Sequence, residues 1–168
     1  SPKDKIVYDV SHQSYPHKIA LIGNHLPRQC GIATFSTDLL EALAQENPNG
    51  ECWAVAMNDI PGGYRYPAQV RFEVNQRVLS EYGMAADFLN MNRVDVVCLQ
   101  HEFGIFGGEN GAHVLDLLSN LRMPVVTTLH TVLQSPSAGQ LGVIRRIAQL
   151  SDRLVVMSRR ACDILQEV

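Results

Sequence analysis

The sequence predicts a doubly wound α/β domain, in which helices cover both faces of a mostly parallel, Rossmann-like sheet. Two observations predict it. Short runs rich in Val, Ile and Leu recur without polar alternation, which is typical of strands that are buried on both faces. Each run is followed by apolar residues at three- and four-residue spacings, which predict a helix packed through one side. Right-handed crossovers between such strands place helices on both faces of the sheet.

Six strands are expected, and turn residues separate most of them. The first is the apolar run KIALIG at 18–23. The turns Asn47-Pro48-Asn49-Gly50 and Pro61-Gly62-Gly63 follow the first helix and the second strand. The remaining strands are expected at 51–57, 70–74, 94–99, 124–129 and 153–157.

Five helices are expected, at about 32–46, 79–91, 110–121, 138–150 and 159–168. The apolar spacing in each predicts which side chains are buried. The predicted buried residues are Ile32, Phe35, Leu39 and Leu43, then Leu79, Tyr82, Ala86 and Leu89, then Leu115, Leu118 and Leu121, and finally Leu141, Ile144 and Ile147.

The length of 168 residues fits one domain that buries roughly two-thirds of its unfolded surface. Residues 1–17 alternate only weakly, so we expect a linker or tail there and the folded domain at 18–168. The last helical pattern has no C-cap glycine. A cut from a longer protein explains that ending at least as well as a natural terminus does.

The composition excludes several classes of protein. With 46% hydrophobic and 18% charged residues, the chain is typical of a globular protein. A net charge of −3 gives no basic surface for nucleic acid. No apolar run reaches membrane-spanning length, which favours a cytoplasmic location. The four widely spaced cysteines do not predict a disulfide framework.

Polar side chains follow five of the predicted strands. In a parallel sheet, ligands bind beyond the carboxyl ends of the strands, so these residues are candidates for a polar cleft. They are Asn24, His25 and Arg28; Asn58 and Asp59; Gln100, His101 and Glu102; His130 and Thr131; and Ser158, Arg159 and Arg160.

The segment QHEFGIFGGENGAH, at 100–113, combines charge with glycines directly after an apolar strand. Gly104, Gly107 and Gly108 allow a tight turn that approaches either a ligand or a neighbouring strand. His101 and Glu102 either line a binding site or simply pair with each other or with water. The sequence leaves these two readings equally open.

His130 gives a sharper signal, because it ends the strand PVVTTL and precedes a loop. A histidine at this point can donate to a hydroxyl group or to a developing charge. The alternative is a bond to a nearby loop carbonyl. Gly31 closes the first loop and opens a helix, so the backbone N–H groups there could meet a phosphate.

Several familiar sites are absent from the sequence. It contains no G-x-G-x-x-G motif of a dinucleotide site and no G-x-x-x-x-G-K-[ST] motif of a P-loop. It also lacks the G-x-S-x-G nucleophile elbow of hydrolases. His101, Glu102 and His113 do not match an H-E-x-x-H spacing, so no zinc site is expected.

Four segments together carry a family resemblance. LPRQCGIATF, QHEFGIFGG, PVVTTLHTVL and SDRLVVMS stand in order on the predicted elements. From 18 to 168 the chain resembles the N-terminal domain of bacterial group-1 (family-4) retaining glycosyltransferases, which is one half of the GT-B fold. The resemblance implies transfer of a hexosyl group from a nucleotide sugar to a glycan or lipid-linked acceptor, without a metal. It also implies a missing C-terminal domain that binds the donor.

The resemblance implies roles for individual residues. His130 would be catalytic, and Gly31 would lie near the donor diphosphate, with Cys30 where many relatives carry a second glycine. The acceptor would meet Gln100, His101, Glu102, Gly107, Gly108, Thr131 and Arg28. The chain alone is expected to be inactive, and peripheral contact with the inner membrane is left open.

Three alternatives remain at this stage. The chain could be a non-catalytic sugar- or nucleotide-binding module, or a GT-B enzyme of the epimerase or phosphorylase kind. In a purely structural reading, the polar strand ends are only solvated surface.

Overall fold

The computed structural model of the chain describes residues 15–168. The predicted linker at 1–17 therefore lies outside the described residues, except for Tyr15, Pro16 and His17. The strands are β1 (Lys18–Gly23), β2 (Glu51–Asn58), β3 (Val70–Asn75), β4 (Val96–His101), β5 (Val125–Leu129) and β6 (Arg153–Val155). The helices are α1 (Gly31–Glu46), α2 (Leu79–Met91), α3 (His113–Ser119), α4 (Ala138–Leu150) and α5 (Arg159–Gln166).

The six strands form one sheet in the order β3-β2-β1-β4-β5-β6, and every neighbouring pair is parallel. The predicted doubly wound α/β fold is confirmed. The chain builds outward from β1 to β3, then returns to the other side of β1 at β4. This reversal between β1 and β4 is the switch point where parallel sheets commonly open a cleft.

Helices cover both faces of the sheet, as predicted. On one face, Leu21 of β1 packs with Leu40 of α1 and with Ala54 of β2. On the other face, Ala20 and Ile22 join a larger core that includes side chains from α2, α3 and α4. Because successive strand residues point to opposite faces, this alternation also fixes the side on which each strand-end residue lies.

The buried face of α1 differs from the predicted one. The predicted face included Ile32, Phe35, Leu39 and Leu43, but the helix buries Ala33, Ser36, Thr37 and Leu40. Phe35 is 37% exposed. Small side chains let α1 approach β1 closely, and a Cβ on Gly23 would lie 3.1 Å from the Ser36 hydroxyl oxygen.

The third predicted helix is also shorter than expected. Asn110 and Gly111 have φ values of 54° and 74°, which interrupt the helix predicted at 110–121. The α3 helix therefore starts at His113, and it buries Val114, Leu117 and Leu118, whereas the predicted Leu115 and Leu121 are only partly buried.

Smaller corrections apply to other elements. Leu79, predicted to be buried in α2, is 48% exposed at the first turn. In α4 the fully buried residues are Val143 and Ile147, with Leu141 and Ile144 partly buried. β4 runs to His101, so Gln100 and His101 belong to the strand itself.

Among residues 15–168, no helix combines the length and the apolar character needed to cross a membrane.

Candidate functional site

The ends of β4 and β5 bring two predicted site residues together. The register pairs Gln100 with Thr128 and His101 with Leu129, and the His130 backbone N–H donates to the His101 carbonyl at 2.9 Å. His130 therefore lies beside the end of β4. Its Nε2 atom is 2.9 Å from Gln100 Oε1. This bond fixes the imidazole against a side chain of the neighbouring strand.

Gln100 is completely buried, yet its amide is only half satisfied. Its Nε2 atom has no hydrogen-bond partner among the described residues, and neither has the buried Ser36 hydroxyl. Both side chains lie against Gly23, whose Cβ, if present, would approach Gln100 Cβ to 3.0 Å. Because a buried polar atom without a partner costs free energy, this pair favours an additional polar partner at the switch point.

His130 is suited to accept a hydrogen bond. Partial burial lowers its pKa, although the nearby Glu102 carboxylate opposes that effect. The lowered pKa favours the neutral form of the ring. With Nε2 bonded to Gln100, a neutral ring that carries its proton there offers Nδ1 as an acceptor. The edge-to-face contact with Phe35, at 4.7 Å between centroids, further limits the movement of the ring.

Glu102 does not pair with His101. One of its carboxylate oxygens accepts from the Thr131 hydroxyl, and the other accepts from the Phe103 backbone N–H at 3.2 Å. Glu102 and Thr131 thus tie the end of β4 to the loop that follows β5. The pairing of His101 with Glu102, one of the two sequence-based readings, is absent.

His101 lies on the opposite face of β4 from Gln100. It is completely buried, stacked on Phe106 at 5.7 Å and edge-on to Phe103 at 5.1 Å. Neither ring nitrogen has a partner among the described residues. Burial, with a smaller contribution from His130, lowers the pKa of His101 to about 4. The structure therefore separates His101 from the other rim residues.

Arg28 lies at the other side of the switch point, beyond β1 and β2. Its Nη1 atom donates to Asn24 Oδ1 at 3.0 Å and to the Met57 carbonyl at 2.9 Å. Its Nε atom lies 3.6 Å from Asp59 Oδ1. Arg28 is only 8% exposed, and its guanidinium group already donates hydrogen bonds to other protein groups. These bonds indicate that Arg28 joins the β1 loop to β2.

Cys30 and Gly31 form the start of α1. The Cys30 sulfur is the N-cap of the helix, and it accepts from the Ala33 backbone N–H at 3.3 Å and from Asn24 Nδ2 at 3.2 Å. A Cβ added to Gly31 would meet no atom within 4 Å. The space above this helix end is open, and packing does not require glycine there.

Close packing explains why positions 107 and 108 are occupied by glycine. A Cβ on Gly107 would lie 2.0 Å from the Gln76 carbonyl oxygen, and one on Gly108 would lie 2.4 Å from His113 Nδ1. Gly108 also has a φ of 80°, which disfavours any side chain. The Gly107 N–H donates to the Tyr82 hydroxyl at 3.0 Å. The glycine-rich turn thus packs against α2, α3 and the end of β3.

A polar cavity opens beyond β5 and β6, and we name it the β5–β6 cavity. It is an open cleft with a volume of about 370 Å³. Within it, Arg160 Nη2 donates to Gln134 Oε1 at 3.2 Å, and the Ser158 hydroxyl caps α5 by accepting from the Ala161 N–H at 3.1 Å. Its lining residues are Leu129, His130, Val132, Gln134, Met157, Ser158, Arg160, Ala161 and Ile164.

The sequence predicted only part of this cavity. Ser158 and Arg160 follow a predicted strand, which placed them on the rim, but nothing in the sequence paired them with His130. Gln134 was missed, since a glutamine within an exposed loop carries no distinctive signal. Within residues 15–168, no group of three or more His, Cys, Asp or Glu side chains could hold a metal ion.

A comparison with protein families corrects the predicted identity. Residues 1–36 match the family model of 1-deoxy-D-xylulose-5-phosphate synthase. No curated protein matches the chain. The matching family is a different enzyme family, so the predicted membership in the group-1 retaining glycosyltransferases is wrong. The predicted hexosyl transfer and enzyme class are wrong with it. The match spans 36 of 168 residues, which is too little to place the chain in the synthase family.

Proposed function

We propose that the chain binds a small, phosphate-bearing molecule with hydroxyl groups, and that the ligand occupies the β5–β6 cavity. One observation carries the proposal. His130, anchored by the buried Gln100, and Arg160, anchored by Gln134, line the same cavity. The cavity lies at the carboxyl ends of parallel strands, where α/β proteins bind their ligands.

The charge at the start of α5 favours an anion. Arg159 and Arg160 occupy its first turn, which contains no acidic residue. Cations there are repelled by the positive end of the helix dipole, and an anion relieves that repulsion. The free N–H groups of the helix start and the Arg160 guanidinium can both donate to phosphate oxygens. The cavity therefore suits a phosphate monoester.

The opposite wall favours hydroxyl groups. His130 lines the cavity, and its ring, held by Gln100 through Nε2, offers Nδ1 as an acceptor. A hydroxyl group of the ligand can donate to this nitrogen. The printed name of the matching family contains a phosphorylated sugar, although the 36 matched residues include none that lines the cavity.

Calorimetric titration with a pentose 5-phosphate, the unphosphorylated pentose and inorganic phosphate tests the proposal. We expect the pentose 5-phosphate to bind most tightly. Arg160→Gln should weaken it by at least about tenfold, the scale of one lost charge-assisted hydrogen bond. Arg146→Gln is the matched control, because Arg146 on α4 also donates to a glutamine, Gln149, at 3.2 Å but lies outside the cavity.

Equal affinities for the phosphorylated and free pentose would contradict the proposal, as would equal losses in the Arg160 and Arg146 variants. His130→Gln separates the two halves of the site. It should weaken the pentose phosphate while leaving inorganic phosphate unchanged, because His130 contacts the hydroxyl end.

A further inference from the structure

We infer that a second copy of this chain docks on the outer side of α2 and forms a weak, symmetric dimer. Four residues mark this side, which we name the α2 stripe: Ser80, Met84, Asp87 and Met91. Their spacings of three and four residues place them on one side of the helix. All four are exposed, Met91 to 81% and Met84 to 55%. The stripe is separate from the ligand cavity, so the inference does not depend on the proposed function.

The core of the domain does not use the α2 stripe. The residues of α2 that are buried in the core lie on the other side of the helix, and they are Tyr82, Ala85, Ala86 and Leu89. Water therefore surrounds most of the Met84 and Met91 side chains. Methionine is enriched in protein–protein interfaces, because its flexible and polarisable side chain adapts to an apolar partner surface. The stripe thus suits a protein partner.

An open cleft adjoins the C-terminal end of the α2 stripe. It has a volume of about 230 Å³, and its lining residues are Asp87, Asn90, Met91 and Arg122. Asn90 joins α2 to the loop before β5, because its Nδ2 atom donates to the Asn120 carbonyl at 2.8 Å and its Oδ1 atom accepts from the Arg122 backbone N–H at 3.0 Å. These bonds hold the two walls of the cleft together. A side chain of a partner can therefore enter a recess that is already formed.

Unpaired charges in the cleft favour a second copy over other partners. The Asp87 carboxylate and the Arg122 guanidinium both line it, and within residues 15–168 neither forms an ion pair. An acid and a base beside an exposed methionine form a patch that is complementary to itself under two-fold rotation. A partner with charge of only one sign would pair with only one of the two.

The two-fold arrangement also matches the apolar side chains. When two α2 helices pack antiparallel about an axis near Asp87, Met84 of each copy lies against Met91 of the other. The Arg122 side chain of each copy then lies on the side of the Asp87 carboxylate of the other. The loop at Arg122 precedes β5, at the amino edge of the sheet, whereas the β5–β6 cavity lies at the carboxyl edge. Dimerisation therefore leaves the ligand cavity open.

Analytical ultracentrifugation of the intact chain tests the inference. The patch is small, and small interfaces give weak, transient complexes, so the average mass is measured from about 10 µM to about 1 mM. We expect the mass to rise from 18.6 kDa toward twice that value as the concentration increases. Met91→Lys should weaken the dimer at least about tenfold, because it places an ammonium group in the apolar contact. Met157→Lys, at a similarly exposed methionine on the opposite edge of the sheet, is the matched control and should leave the association unchanged.

Charge reversal distinguishes the specific pairing from a non-specific apolar contact. Asp87→Arg and Arg122→Asp should each weaken self-association about tenfold, since both pairs across the interface become pairs of like charges. A mixture of the two variants should restore association, because both pairs in the mixed dimer then join opposite charges.

Three results would overturn the inference. Circular dichroism first checks that each variant is folded, as expected for substitutions at exposed positions. A mass that stays at 18.6 kDa over the whole concentration range excludes the dimer. A dimer that Met91→Lys leaves intact uses another surface. Association that the single charge reversals weaken but their mixture does not restore contradicts the two-fold pairing of Asp87 with Arg122.

Discussion

Two polar clusters at the carboxyl edge of the sheet resemble each other in sequence but differ in their bonding. In the β1–β2 cluster, made of Asn24, Arg28 and Asp59, the arginine bonds to Asn24 Oδ1 and the Met57 carbonyl and lies near Asp59. In the β4–β5 cluster, made of Ser36, Gln100 and His130, the Ser36 hydroxyl and the Gln100 amide nitrogen remain buried and unpaired.

This difference separates a structural role from a binding role. Apart from Ser36 of α1, both clusters consist of polar residues at or after strand ends, and both flank the switch point. A cluster whose polar groups bond to each other stabilises the fold and has little left for a ligand. A cluster with unpaired buried groups is destabilising until a further partner arrives. We therefore assign Arg28 to the fold, and Gln100 to positioning His130 at the cavity.

The largest expected effect on stability comes from a substitution that breaks the bonded β1–β2 cluster. Arg28→Met should lower the free energy of unfolding by roughly 4 kcal/mol, because it leaves two buried acceptors, Asn24 Oδ1 and the Met57 carbonyl, without a donor. Urea unfolding followed by circular dichroism measures the loss. The affinity for a pentose phosphate should not change under conditions in which the variant is folded. A stable variant that no longer binds would reverse the assignment.

The next largest effect is the pH dependence of stability that comes from His101, the buried histidine on the opposite face of β4 from Gln100. Its pKa is about 4 in the folded chain against an ordinary value of 6.5. The unfolded chain therefore binds more protons between these values, and the free energy of unfolding falls as the pH falls. The contribution of His101 should decrease by about 2 kcal/mol between pH 7.5 and pH 5.

His101→Leu removes this contribution and provides the measurement. Urea midpoints of the wild type and the variant are compared across that pH range. The variant should lose less stability on acidification, by about the same 2 kcal/mol. Parallel curves would mean that His101 has a polar partner in solution, which would place it with the bonded cluster.

The sequence predicted the fold class well, because alternating apolar runs and amphipathic segments indicate a parallel sheet with helices on both faces. The strand order β3-β2-β1-β4-β5-β6 was not predicted. The sequence also did not predict the buried face of α1. There the small residues Ala33 and Ser36 pack closely on β1 near Gly23, and this contact between distant residues outweighs the apolar pattern of Ile32 and Phe35.

The candidate site was predictable in part for a related reason. Gln100 and His130 end buried strands, so their location on the rim followed from the fold. Their partnership with Arg160 depends on where α5 packs, which local patterns do not encode. Gly107 illustrates the converse: a glycine indicates a close approach, but the sequence cannot say whether a ligand or the Gln76 carbonyl makes it.

The smallest expected effect on stability comes from the unpaired cluster. Gln100→Leu removes a buried donor without a partner and also the bond to His130, which can bond to water instead because it is partly exposed. These two changes oppose each other, so the free energy of unfolding should change by less than about 1 kcal/mol. The affinity for a pentose phosphate should nevertheless fall about fivefold or more, since His130 loses its anchor. A loss of stability as large as that of Arg28→Met would mean that an internal partner satisfies Gln100, and the two clusters would then no longer differ in kind.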